Sequence, residues 1–188
     1  LPWAALAGSG VVLNKDGSFQ RTAKFRGPDL DSSVAAELVA VAGRINNALR
    51  RLGSGWSIFV EAQRSEAATY PDSIFPDAAS ALVDAERKAD FEGEAEEGSS
   101  RWDDHRPNGT HFVSGYFLTF LYLPPAEEAA RTEAWLYEGR DKTGVDPWES
   151  LRGFIDRIDR LLALLDGFMP ECRWLDDAGT LTYLHSTI

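Results

Sequence analysis

The chain is poor in the residues that most chemistry needs. A single cysteine, Cys172, excludes an internal disulfide and a cysteine-built zinc cage. It fits a reducing compartment. Only three histidines are present, His105, His111 and His185, and no two share a helix at metal-ligand spacing. No apolar run approaches the roughly 20 residues that span a bilayer. The first residues, Leu1-Pro2-Trp3-Ala4, lack a basic segment followed by an apolar one, so no secretory signal is expected. They also lack an initial Met, and a longer parent protein is expected. Positive charge is scarce too. Nineteen Lys and Arg face thirty Asp and Glu, a formal charge of −11. Phosphate binding draws on clustered cations, so bare nucleic acid and anionic lipid are both disfavoured.

Material for a core is plentiful. Hydrophobic residues make up 44% of 188, with six Trp, ten Phe and five Tyr. One domain over residues 1–188 is the expectation. Val11-Val12-Leu13, the turn residues Asn14-Lys15-Asp16-Gly17, and alternation from Phe19 to Phe25 read as an N-terminal β-hairpin. Asp31 or Ser32 caps a helix whose stripe is Val34, Leu38, Val41, Ile45, Leu49 and Leu52, with Gly53 as the stop. A strand from Trp56 to about Gln63 follows. A loop from Tyr70 to Asp77 leads into a helix holding Leu82, Val83 and Glu86. Residues 93–110 are rich in Glu, Gly, Ser and Asp and read as a mobile loop.

Phe112 to Leu123 is the strongest strand, apolar on both faces and therefore central. Pro124-Pro125 ends it. A short helix is expected around Glu127 to Tyr137. Asp146-Pro147-Trp148-Glu149 starts another, with the stripe Trp148, Leu151, Ile155, Ile158, Leu162 and Leu165. The last residues suggest one more, with Leu181 and Leu184 inward. The predicted class is α+β, a mostly antiparallel sheet backed by helices on one side.

No catalytic signature emerges. Leu52-Gly53-Ser54-Gly55-Trp56 and Asp141-Lys142-Thr143-Gly144 lack the spacing of a phosphate-binding loop and read as turns. Cys172 has no flanking nucleophile motif. Asp103-Asp104 and Asp176-Asp177 are more simply solvated turns or helix caps than acid–base pairs. Catalytic, cofactor and metal residues are therefore assigned to none. A docking module would act through exposed apolar residues, and the candidates are Trp3, Leu6, Trp102 and Trp135. The competing readings are a stand-alone hydrolase using carboxylates or histidine, and a nucleic-acid module.

Several phrases carry a resemblance. They are Gly10 to Thr22, Phe25 to Asp31, Asn47 to Trp56, Tyr70-Pro71-Asp72-Ser73, Ser114-Gly115-Tyr116, Leu121 to Pro125, Trp174 to Asp177, and Leu181 to His185. Together they resemble the N-terminal domain of the CagE/TrbE/VirB family of type IV secretion ATPases, which act in conjugal transfer. The resemblance implies a domain that precedes a RecA-like motor. ATP and Mg belong to that motor, and none of its residues has a counterpart here. It also implies a place at the cytoplasmic face of the bacterial inner membrane. The implied partners are protein subunits of the secretion channel and other protomers, with the membrane reached only through them.

Overall fold

The computed structural model describes residues 1–28, 33–67, 69–96, 111–125 and 147–187. Its elements in chain order are β1 (Trp3–Gly8), β2 (Val11–Asn14), β3 (Phe19–Arg26), α1 (Ala35–Leu49), β4 (Trp56–Glu66), α2 (Ala78–Glu96), β5 (Phe112–Tyr122), α3 (Pro147–Asp166), β6 (Glu171–Trp174) and α4 (Asp177–Ser186). The sheet runs β1-β2-β3-β5-β4, with β6 also paired to β3. The registered pairs are all antiparallel. This is the expected α+β class with its hairpin, since β2 and β3 flank the Asn14–Gly17 turn. Gly17 takes φ +79° there, a backbone state open to residues without a Cβ. The predicted helix at 127–137 and the predicted loop at 93–110 fall wholly or mostly outside the described residues.

Two compact units form, one from Leu1–Ala62 with Tyr116–Ile188 and one from Gln63–Gly115. In the first unit β3 lies inside the sheet. β5 pairs with it along one edge from Phe19 to Phe25. On the other edge β2 covers Phe19 to Arg21, and β6 takes over from Ala23 to Arg26. Two short strands thus follow one another along one side of β3.

Alternation along the strands sorts the core onto two faces. Val11, Leu13, Phe19, Leu118 and Phe120 bury against α3 through Leu151, Phe154, Ile158, Leu161 and Leu165, joined by Ala48 of α1 and Cys172. Phe154 stacks on Phe19 at 5.6 Å and on Trp56 at 5.6 Å, and Trp56 stacks on Tyr122 at 4.8 Å. The other face carries Val12, Phe117 and Trp3 against Tyr183, Leu184 and Leu175. Helices on one side is therefore too simple. α1 and α3 back one face, and α4 covers part of the other, because Val12 points away from its neighbours Val11 and Leu13.

Three stripe assignments also shift. Trp148 is exposed in the first turn of α3, while Phe154 and Leu161 lie buried beside the expected Leu151, Ile158 and Leu165. In α1 only the C-terminal half is covered. Ala48 is buried, Val41, Ile45 and Leu49 are half-buried, and Val34 and Leu38 are exposed. The start of α1 is Val34, whose N–H donates to Glu37 Oε2 at 3.0 Å; Asp31 and Ser32 lie outside the described residues. In α4 Leu184 is inward as expected, but Leu181 is exposed and Tyr183 and Thr180 are buried instead. β5 is central as expected, and its buried residues are Leu118, Thr119 and Phe120; Phe112, Val113 and Tyr116 are exposed.

In the second unit α2 starts on Asp77, which accepts the Ser80 N–H at 2.8 Å and the Ser80 hydroxyl at 2.9 Å. These bonds hold the Asp77 carboxyl below its ordinary value. Phe91 stacks on His111 at 4.5 Å and meets Tyr70 edge-on, and the Tyr70 hydroxyl donates to Asp84 at 2.7 Å.

Candidate functional site

Trp3 and Leu6, two of the four candidate contact residues, come together on the face that α4 covers. Trp3 lies opposite Asn14 and Leu6 opposite Val12 on β2. Trp3 is half-buried against Val12 and α4, whereas Leu6 is 38% exposed. Trp3 is therefore chiefly core, and Leu6 is surface. Trp102 and Trp135 lie outside the described residues.

Beside this pair runs a polar chain that sequence reasoning missed. Thr22 and Thr119 sit directly opposite in β3 and β5, with their hydroxyls 2.9 Å apart. Thr119 meets the Tyr183 hydroxyl at 3.2 Å, and Tyr183 donates to Glu61 Oε2 at 2.8 Å. Burial pushes the Tyr183 phenol up. The chain ties α4 to three strands and satisfies hydroxyls that would otherwise be costly to bury. No local sequence signal marks it, because its members are 22, 61, 119 and 183.

A second polar group stands on the opposite face. Arg21, half-way along β3, places its guanidinium 4.6 Å from the centre of the Trp174 ring and bonds Asp159 of α3 at 2.8 Å. Trp174 Nε1 donates to the same Asp159 oxygen at 2.7 Å. Partial burial lowers the Arg21 pKa and the Asp159 charge counters it. The group clamps helix to sheet.

The groups suggested for chemistry are dispersed. Cys172 is buried, and desolvation followed by the Asp166 charge pushes its thiol up to about 11, the opposite of an activated nucleophile. Asp176 accepts the Gly179 N–H at 2.7 Å and caps α4, and Asp177 accepts the Gly10 N–H at 2.6 Å. Both are structural, as the turn-or-cap reading has it. His185 is exposed near the end of α4, His111 stacks on Phe91, and His105 lies outside the described residues. Among the described residues no group of three or more His, Cys, Asp or Glu could hold a metal ion. Gly53-Ser54-Gly55 is the turn between α1 and β4. Gly55 takes φ +85°, and its carbonyl accepts the Leu123 N–H at 2.8 Å. Asp141-Lys142-Thr143-Gly144 and Asp103-Asp104 lie outside the described residues.

Among the described residues, shallow grooves open on the surface of both units. One of about 310 Å³ lies in the first unit between the C-terminal halves of α1 and α3, lined by Arg44, Asn47, Ala48, Leu164, Gly167 and Phe168. The other, about 470 Å³, lies in the second unit along the start of α2, lined by Phe75, Pro76, Ala79, Val83, Asp84 and neighbours. The second is mostly apolar, with Ser80, Asp84 and Arg87 in its lining, whereas Arg44 and Asn47 make the first more polar. Among the described residues no helix is long and apolar enough to cross a membrane.

Residues 10–130 match the family model of the type IV secretion system ATPase VirB4/TrbE, N-terminal domain. The chain belongs to this family. The VirB4/TrbE N-terminal match spans β2 through β5 and stops before α3. Similarity to individual relatives reaches further. The chain is 36% identical over 170 residues to a conjugal transfer protein TrbE of Rhizobium radiobacter, covering 87% of the chain but 19% of that relative. It is 39% identical over 137 residues to the first part of a probable conjugal transfer protein TrbE of Sinorhizobium fredii, covering 71% of the chain and 81% of the relative. The chain thus spans about a fifth of the first relative's length and most of the second's. Membership in the VirB4/TrbE N-terminal family places it in type IV secretion and conjugation.

Proposed function

We propose that this chain is the assembly and docking domain of a conjugal-transfer secretion ATPase. It contacts inner-membrane channel subunits or other protomers at the cytoplasmic face of the membrane. ATP and its Mg ion are bound and turned over elsewhere in the parent protein. The observation that carries this reading is the match to a family defined as the ATPase's N-terminal domain, with four-fifths of the R. radiobacter relative lying outside the matched region.

Charge and surface support it. Residues 63–115 hold twelve of the acidic and five of the basic residues, a net −7 out of −11. Phosphate is repelled there and a basic protein segment is attracted. Leu6, Phe59 and Leu181 are exposed on the first unit, and Ile74, Leu82 and Val83 on the second, which suits protein contacts.

The test has two arms. Titration with a fluorescent ATP analogue should show no saturable binding by the 188-residue chain, and no phosphate release should follow. Cytoplasmic segments of the channel subunits, immobilised, should retain it. Specific nucleotide occupancy with turnover would return the hydrolase alternative to first place.

A further inference from the structure

We propose that the outer edge of β4 takes an extended, basic segment of a partner protein as an added strand. The inference rests on the docking role proposed above and names the chemistry of one partner. β4 ends the sheet order β1-β2-β3-β5-β4, so one of its sides meets no strand among the described residues. One bond tells which groups it turns outward. The Gly55 carbonyl accepts the Leu123 N–H at 2.8 Å, on the β5 side. β4 leads away from this bond and β5 leads into it, so the two strands are antiparallel. Backbone direction then alternates residue by residue, and Ser57, Phe59 and Glu61 face β5. Trp56, Ile58, Val60 and Ala62 turn their N–H and C=O groups outward. Edge strands are commonly guarded by proline, lysine or a bulge. β1, at the other end of the sheet, has two register shifts. The Trp56 to Ala62 stretch of β4 has no Pro, Lys or Arg, and its Ile58, Phe59 and Val60 side chains are exposed, Val60 at 69%.

The backbone says what kind of chain covers it. A row of outward donors and acceptors is answered by another extended segment, whereas a helix spends its own ladder internally and lipid tails offer no hydrogen bonds. The side chains narrow the choice. Ile58 and Val60 share the face of Trp56, which stacks on Phe154. Phe59 and Glu61 share the other face, where the Tyr183 hydroxyl donates to Glu61. An added strand therefore meets three apolar side chains in succession and then a carboxylate. It answers them with apolar or β-branched residues beside Ile58, Phe59 and Val60 and with Lys or Arg beside Glu61. A second copy is the weaker occupant. Two β4 edges related by a two-fold axis at Phe59 set Glu61 against Ser57, which leaves both carboxylates unanswered between chains of charge −11 each.

The probe is a fluorescently labelled, amidated peptide, Ser-Lys-Val-Val-Ile-Thr-Thr. Laid antiparallel to β4, it sets its Lys beside Glu61 and its Val, Val and Ile beside Val60, Phe59 and Ile58. Anisotropy should rise with a dissociation constant of roughly 10–500 μM. At about ten times that concentration the Ile58 and Val60 amides should exchange about tenfold more slowly. N-methyl groups on the peptide residues beside Ile58 and Val60 should weaken binding about tenfold or more, because those N–H groups point at β4. N-methyl groups on the residues beside Phe59 and Glu61 point away and should leave the affinity within about threefold. Val60→Pro removes an outward N–H and no ladder bond, so it should keep the melting temperature and lose the peptide. Glu61→Gln still accepts from Tyr183 and should weaken binding about twofold to fivefold, with no effect on a peptide carrying Gln in place of Lys. No binding by the peptide, binding indifferent to where the N-methyl groups sit, or a chain that dimerises through β4 instead overturns the proposal. If the peptide fails and channel subunits still retain the chain, the docking role survives and only this edge is lost.

Discussion

Gly10 is the position where one added methyl group should cost most. It sits in the β1–β2 turn, where β2 gives way to β6 along the edge of β3. A Cβ there would lie 2.2 Å from the Leu175 carbonyl oxygen, and Gly10 takes φ +64°. Two costs add. A residue with a Cβ in the left-handed region loses about 1–2 kcal/mol. The contact is with backbone, so no rotamer change relieves it, and the turn must move off the start of α4. That movement breaks the 2.6 Å bond from the Gly10 N–H to the Asp177 carboxylate, worth about 1.5–3 kcal/mol for a charged acceptor. Gly10→Ala should therefore lose about 2.5–5 kcal/mol, near the upper range of single substitutions. Urea denaturation followed by tryptophan fluorescence measures it, with an unchanged m-value confirming the same unfolding reaction. Two controls separate the terms. Gly10→Asn tolerates the backbone state yet keeps the clash, so it should remain destabilised. Gly17→Asn, in a turn at φ +79°, should cost about 1 kcal/mol or less. If Gly10→Asn unfolds at the wild-type midpoint, the close approach to Leu175 is not what fixes glycine here.

Ile158 is fully buried in the α3 stripe, and Ile158→Asp should abolish cooperative unfolding, since a buried unpaired carboxylate costs several kcal/mol out of about 5–15 in total; a wild-type melting temperature would show the core face to be misassigned. Tyr183→Phe should lose about 1–2 kcal/mol by removing the hydroxyl that joins Thr119 to Glu61, with Thr119→Val showing non-additive loss in a double-mutant cycle. The Tyr183 pKa is raised, chiefly by burial, so its contribution is complete below the unfolded phenol's pKa of about 10 and is lost as pH rises through the folded value. Denaturation midpoints should accordingly fall above about pH 10, and Tyr183→Phe should flatten that fall. Cys172, pushed up to about 11, should resist iodoacetamide at pH 8 in the native chain and react promptly once unfolded; rapid native labelling would contradict its burial.

What the sequence conveyed of the fold was periodicity over long stretches, and what it concealed was set by tertiary contact. α3 is twenty residues with strong starts and stops, and its existence and inward side were plain. Which residues centre the stripe was not, because Phe154 and Ile155 are adjacent apolars and only the Phe19 and Trp56 rings favour the first. β6 is four residues long, with Cys172 buried between Glu171 and Arg173 after a Gly167–Pro170 break, too short for alternation to register. The uncovered half of α1 left no mark either, since its spacing looks the same whether or not something packs on it. The candidate contact residues show the same divide: their residue types could be chosen from composition, and their surroundings could not.

Trp3 and Leu6 make the point most sharply. They are three residues apart, so in a regular strand they would face opposite sides of the sheet. The register shifts between Trp3 and Ala5, and again between Leu6 and Gly8. The first shift inserts one residue, so Trp3 opposite Asn14 and Leu6 opposite Val12 end up on the same face, because Asn14 and Val12 are two apart on β2. Bulges also blunt an edge strand against adventitious pairing, which suits β1 at the end of the sheet. Leu6 therefore owes its exposure beside Trp3 to an irregularity that no alternation pattern predicts. Deleting Ala4 should test this, since one residue less removes the first bulge and restores plain alternation. Leu6 and the residues after it keep their pairing with β2, and the Trp3 side chain turns off the Val12–Tyr183 cluster. The measurable result is a red shift of tryptophan emission with loss of stability; an unmoved spectrum would mean that the bulge does not set the face.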